Sequence, residues 1–203
     1  LQFLIDQAPA LRARLAREDP NAFVEFVMRD ERDGVTRITQ AATHRRMHGL
    51  IDAHPRVVLL SHVEAGKTNQ VSIGRVLYEI GRDPNLRVAV CCATLRQATH
   101  ILTAIKAYIE RSVELREVFP HLRPGGVWTG TAITVERTTR AKDPTVQVFG
   151  ADTGTVLGAR IDLLVMDDVV TDKNARTATQ REKLWSWWQS TLEGRLTEHS
   201  RVV

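Results

Sequence analysis

Cysteine is nearly absent: the 203 residues contain two, Cys91 and Cys92, side by side. Neighbours on a strand point to opposite faces, so the pair suits neither a disulfide framework nor a metal knuckle. A reducing, cytosolic compartment is therefore expected. Long apolar runs are missing too. The longest, around Val57–Leu60 and Leu163–Met166, have strand length, far short of the roughly 20 residues that cross a bilayer. No charged-then-apolar leader opens the chain. Aromatic residues make up only 5%, and no internal repeat or low-complexity tract occurs. What remains is balanced, with 43% hydrophobic and 26% charged residues, as in a folded soluble protein. The length suits one well-buried α/β domain with a short extension. An excess of 28 basic over 24 acidic residues gives a net charge of +4, which permits contact with nucleic acid without requiring it. Leu1 in place of methionine, and a stop at Val203 inside an expected strand, suggest a piece of a longer polypeptide.

Periodicity divides the chain near residue 54. Residues 1–53 read as a helical extension. It has helices over 8–30, interrupted at Asp19-Pro20, with Leu11, Leu15, Phe23, Phe26 and Val27 as apolar contacts. DERDG at 30–34 is turn-like, and 42–53 is a short basic helix carrying His44, Arg45, Arg46 and His48. From Arg56 strands alternate with helices. Strands are expected at Arg56–Leu60, Leu86–Ala93, Ala132–Arg137, Thr145–Gly150 and Ile161–Met166. Helices are expected over about 67–81, 95–111 and 177–196, with a shorter one before Pro120 and a loop over 120–131. Such alternation predicts an α/β fold, a mainly parallel central sheet with helices on both faces.

SHVEAGKT, Ser61–Thr68, follows a strand and opens a helix, the setting in which a phosphate loop works. Gly66 lets the backbone curl so that the amides of Ser61, His62, Val63, Glu64 and Ala65 can form an anion nest. Lys67 brings a flexible point charge to the β- and γ-oxygens. Thr68 offers a hydroxyl to Mg²⁺, and the helix it begins aims its positive end at the phosphates. ATP with Mg²⁺ is the expected ligand. Ser61 stands where this pattern carries glycine, and the acidic Glu64 is unexpected beside phosphates.

LLVMDD, Leu163–Asp168, is an apolar strand ending in two carboxylates about a hundred residues later. Ligands of open α/β sheets bind at the carboxyl ends of strands, so both acids should approach the phosphate loop. Asp167 fits Mg²⁺ binding through its water shell, and Asp168 fits orientation of an attacking water. Arg160, in the glycine-rich stretch 150–162, is a candidate for neutralising γ-phosphate charge, against the alternative of a surface pair with Asp162. Gln40 could read an adenine edge through its amide. ATLRQA, 93–98, is open between a nucleic-acid contact and a helix cap at Thr94. His44 and His48 are four apart but lack further ligands for zinc. Trp185, Trp188, Leu192 and Leu196 recur at helical spacing as a core stripe, leaving Trp187 off it.

These residues in this order resemble the ATPase domain of the large terminase subunit of tailed bacteriophages. The similar features are SHVEAGKT, the strand before ATLRQA, GTVLGARIDLLVMDDVV, a Trp-containing helix and a strand at Arg201–Val203. The resemblance covers roughly residues 20–203 and is most specific over 154–170. It implies a P-loop NTPase of the RecA/helicase-like, additive-strand type. It also implies a motor that works as a pentameric ring on a portal protein, with a small terminase subunit, pumping double-stranded DNA into a capsid in the host cytoplasm. The isolated domain is expected to be mostly monomeric. The family's C-terminal nuclease domain has no acidic cluster here, and its coupling motif should begin just beyond Val203. A superfamily 2 helicase and a nucleotide-dependent assembly module with little turnover are the alternatives.

Overall fold

Asp19 and Pro20 set the first boundary. The computed structural model describes residues 8–152 and 158–203. In it, helix α1 (Pro9–Glu18) stops at Asp19, whose carboxylate accepts from the Asn21 amide at 2.9 Å. Pro20 then opens α2 (Pro20–Val27), where its missing amide hydrogen leaves no intrahelical bond unmade. α2 buries Phe23, Phe26 and Val27 as expected, but α1 does not bury its leucines. Ala13 and Ala16 face inward, while Leu11 and Leu15 lie at the rim. Small side chains on that face let α1 lie close, and Arg17 ties it to the carbonyls of Glu117 and Val118. A turn at 31–34 leads to α3 (Ala42–Ala53).

The helix after the Ser61–Lys67 loop begins as a π-helix, Thr68–Arg75, and continues as α4 (Val76–Arg82). Strand β1 (Val88–Cys92), α5 (Leu95–Arg111) and α6 (Val113–Val118) follow. Next come β2 (Pro124–Trp128), β3 (Ala132–Val135), β4 (Val146–Gly150) and β5 (Ile161–Asp167). Helices α7 (Asp172–Ala175) and α8 (Ala178–Trp187) precede a π turn at Trp188–Leu192, and β6 (Leu196–Val202) closes the chain. One six-stranded sheet forms in the order β2-β3-β4-β1-β5-β6. β4, β1, β5 and β6 run parallel, and β3 and β2 add antiparallel at one edge.

Alternation along the strands sends side chains to two cores. Val88, Val90, Cys92, Leu163 and Val165 pack with α1–α5 on one face; Ala89, Cys91, Ile161 and Leu164 pack under Trp187, Trp188 and Leu192 on the other. The two cysteines thus face opposite ways, each a free thiol. Burial pushes the Cys92 thiol up to about 12 and raises that of Cys91 further. Among the described residues no helix is long and apolar enough to cross a membrane.

Three expectations need correction. First, Arg56–Leu60 is not a full strand. Arg56 bridges Val202 in parallel, and Val57 N donates to Val202 O at 2.9 Å. β6 ends there, so residues 58–60 have no ladder beside them, and Val58 and Leu60 are 84% and 93% exposed. Second, the 120–131 interval contains β2. Proline is tolerated as the first residue of an edge strand, which is where Pro124 sits. Third, the helix expected to Leu196 ends early, because Leu196 begins β6. The tryptophan stripe shifts as well: Trp185 is 60% exposed, whereas Trp187 packs on Phe149 at 6.4 Å between ring centroids.

Candidate functional site

Gly66 adopts φ +71°, a left-handed conformation that glycine takes without a steric penalty. Two residues earlier Glu64 is also left-handed, at φ 65°, with an exposed side chain. In an anion nest left- and right-handed residues alternate so that successive amides turn toward one side, and the left-handed Glu64 and Gly66 have the spacing of that pattern. Lys67 Nζ donates to the loop's own carbonyls, Ser61 O at 3.1 Å and His62 O at 3.2 Å. The ammonium is therefore held at the mouth of the loop by neutral acceptors that an anion could replace. Thr68, also exposed, begins the π-helix directly after Lys67. His62 and Val63 point to solvent, while Ala65 is buried.

β5 delivers Asp167 and Asp168 to the same place. Lys67, Ser72, Asp167 and Asp168 line one narrow cleft, about 70 Å³ in volume, floored by Val71 and Val165. Asp167 is half-buried, and its Oδ2 accepts from Ser72 Oγ at 2.8 Å. Ser72 lies one helical turn beyond Thr68, a spacing that could have flagged it in the sequence. Asp168 is exposed and takes a left-handed φ of 49°, strained for a residue with a Cβ. Among the described residues no group of three or more His, Cys, Asp or Glu gathers as a metal cage. The oxygen donors that line the cleft are hard ones, from Ser72, Asp167 and Asp168, with Thr68 beside Lys67 in the chain. That set fits Mg²⁺, which retains waters and is commonly bound through one or two carboxylates plus phosphate oxygens.

Other candidates are placed elsewhere. Gln40 is buried, and its amide donates to Gln70 Oε1 at 2.9 Å, which leaves Gln40 Oε1 without a partner. His48 Nε2 reaches the same Gln70 oxygen at 3.1 Å, and His44 Nε2 reaches Ala65 O at 3.1 Å. The two histidines thus serve separate partners. Thr94 caps α5 in a capping box with Gln97. Asp162 pairs with Arg87, at 2.6 Å, and not with Arg160. Burial works to raise the Asp162 carboxyl, but the Arg87 fork outweighs it and holds the group below its ordinary range.

Arg160 immediately precedes Ile161, at the amino end of β5, with an exposed side chain. Asp167 ends the strand, and at roughly 3.3 Å per residue about 20 Å of strand separates them. Within one chain Arg160 and the cleft therefore lie at opposite ends of β5. Gly154 and its neighbours at 153–157 lie outside the described residues.

β6 is inserted between β5 and the Pro55–Val57 segment that leads into the loop: Val202 bridges Arg56 on one side and pairs with Leu164 on the other. No family model matches the chain. Among curated proteins, the terminase large subunit of Enterobacteria phage T3 is 29% identical over 113 residues, 55% of this chain and 18% of that protein. The chain therefore spans less than a fifth of that relative's length. With its mostly parallel sheet flanked by helices, it is similar over about half its length to a phage terminase large subunit.

Proposed function

We propose that this chain is an ATP-hydrolysing motor domain that drives double-stranded DNA into a viral capsid. The observation that carries the reading is the meeting of Lys67 with Asp167 and Asp168 in one cleft, from opposite ends of the core sequence. The inserted β6 supports an additive-strand P-loop fold, and similarity to a terminase large subunit supports the packaging role. Amides of 61–66 would cradle the phosphates, and Lys67 would exchange its loop carbonyls for β- and γ-oxygens. Thr68 and Asp167 would hold Mg²⁺, which neutralises charge on the phosphates and aligns them. Asp168 would orient the attacking water. Arg160 would act on a neighbouring subunit's nucleotide, its own being out of reach. The portal, a small terminase subunit, a pentameric ring and the host cytoplasm belong to the same proposal.

A nucleotide-dependent assembly module is the second reading. The left-handed Asp168 and the occupied Lys67 favour it, because both must rearrange before turnover. Steady-state phosphate release, with and without duplex DNA, tests the choice. DNA-stimulated release that Lys67→Ala abolishes supports the motor. Nucleotide binding without release supports the module, and wild-type turnover in Lys67→Ala would sink both.

A further inference from the structure

One face of α3 engages the phosphate loop and the helix behind it at regular intervals. His44, His48 and Asp52 are successive i, i+4 positions, so they line one side of the helix. His44 Nε2 meets Ala65 O, His48 Nε2 meets Gln70 Oε1, and Asp52 pairs with the buried Arg75 guanidinium. The partners 65, 70 and 75 are five residues apart. In an α-helix, residues five apart point about 140° away from each other. The π-helix over Thr68–Arg75, with its i→i+5 bonding, brings Gln70 and Arg75 toward one face instead. Gly74 sits inside that segment, where an added Cβ would lie 2.9 Å from Asn69 O.

We propose that α3 is a brace that sets the shape of the phosphate loop, with His44 as its positioning residue. The chemistry of the His44 ring fixes its form. Ala41 N–H donates to Nδ1 at 3.3 Å, so Nδ1 carries the lone pair. Nε2 then carries the hydrogen and donates to the Ala65 carbonyl at 3.1 Å. Anchoring that carbonyl on the α3 side holds the flanking peptide plane beside Gly66, whose amide must face the opposite way to receive an anion. His48 and Asp52 hold the following helix, so the loop cannot tilt as a body. The role in nucleotide binding rests on the ATPase reading; the brace itself exists without ligand.

The test therefore starts with ligand-free protein. Hydrogen exchange of amides 63–68 should be faster in His44→Ala and return toward wild type in His44→Gln, whose amide again offers one acceptor and one donor. Nitrogen-15 spectra of the wild type should show the Nε2–H tautomer. Mg·ATP should bind His44→Ala about five- to tenfold more weakly, the worth of one hydrogen bond, with His44→Gln recovering most of the loss. Unchanged loop exchange in His44→Ala, an Nδ1–H tautomer, or no recovery in His44→Gln would overturn the brace. The tautomer is read on wild-type protein, so it decides the matter even if His44→Ala does not fold. Absence of nucleotide binding by wild type would instead count against the ATPase reading, leaving the exchange and tautomer results to judge the brace.

Discussion

Ser72 donates its hydroxyl hydrogen to Asp167 Oδ2 at 2.8 Å, joining the Thr68–Arg75 π-helix to the end of β5 across 95 residues of sequence. The bond occupies one carboxylate oxygen and fixes the orientation of the other. Asp168, next in sequence, is exposed, and among the described residues no side chain tethers it in this way.

The two acids should therefore respond differently. Asp167→Asn is expected to raise the Mg²⁺ concentration needed for nucleotide binding, and Ser72→Ala to do so more weakly. Asp168→Asn should leave Mg·ATP affinity near wild type while slowing hydrolysis by ~10²–10⁴, the range for losing a general base. Titration with a fluorescent nucleotide at several Mg²⁺ levels, beside single-turnover hydrolysis, separates these effects. Equal losses of affinity in both acid variants would show that the roles are wrongly divided.

Glu64 holds a left-handed φ of 65° and a negative charge within the loop proposed to bind phosphates. Glycine relieves the steric cost, about 1–2 kcal/mol before its own entropic penalty. Glu64→Gly should melt no lower than wild type and bind ATP more tightly, most visibly at low salt. Weaker binding at low ionic strength would show that the carboxylate assists the site.

His48 is fully buried, and burial, opposed by its Gln70 bond and aided by nearby Arg75, holds its imidazole below the usual range. A folded value below the unfolded one means that its contribution is complete above about pH 6.5 and is lost as pH falls through the folded value. The melting temperature should thus decline from pH 7 to pH 5, and more steeply in wild type than in His48→Gln. Parallel declines would remove His48 as the cause.

Gly81 lies against Phe119, and a methyl group there would enter the ring. That ring cannot retreat freely, since Phe23 and Tyr78 pack on it at 5.8 and 6.5 Å. Gly81→Ala should cost about 1–3 kcal/mol through overpacking, a drop of several degrees in thermal unfolding. A melting curve that overlays wild type would mean the aromatic cluster yields.

What the sequence revealed was whatever depended on local period and spacing. α3 and α5 have the expected bounds, because their helical faces, and for α5 the Thr94 cap, are written within a few residues. β1, β4 and β5 were readable as strands from short apolar or β-branched runs, whereas the burial of Gln147 within β4 was not. The meeting of Lys67 with Asp167 and Asp168 in one cleft agrees with their order in the sequence, a lysine opening one helix and two acids ending a strand. What escaped depended on neighbours. The segment 58–60 has strand composition but no ladder, and β2 has loop composition but an edge partner in β3. Trp187 joins Leu184 and Trp188 on the buried i, i+3, i+4 face while Trp185 is exposed, a choice of face set by Phe149 and the sheet beneath. His44 and Ser72 act through partners 21 and 95 residues away, a pairing only the fold can make.

The adjacent cysteines offer a gauge that needs no engineering. β1 lies between β4 and β5 and both sulfurs are buried, Cys92 beneath the layer that holds α1–α5 and Cys91 beneath Trp187, Trp188 and Leu192. A reagent therefore reaches either one only when the layer over that face opens. Raised thiol values keep them unreactive even to small electrophiles. Alkylation at neutral pH should then count openings of the two helical layers and ignore fraying of the edge strands. A ligand that grips the folded form would slow that clock in proportion to its occupancy.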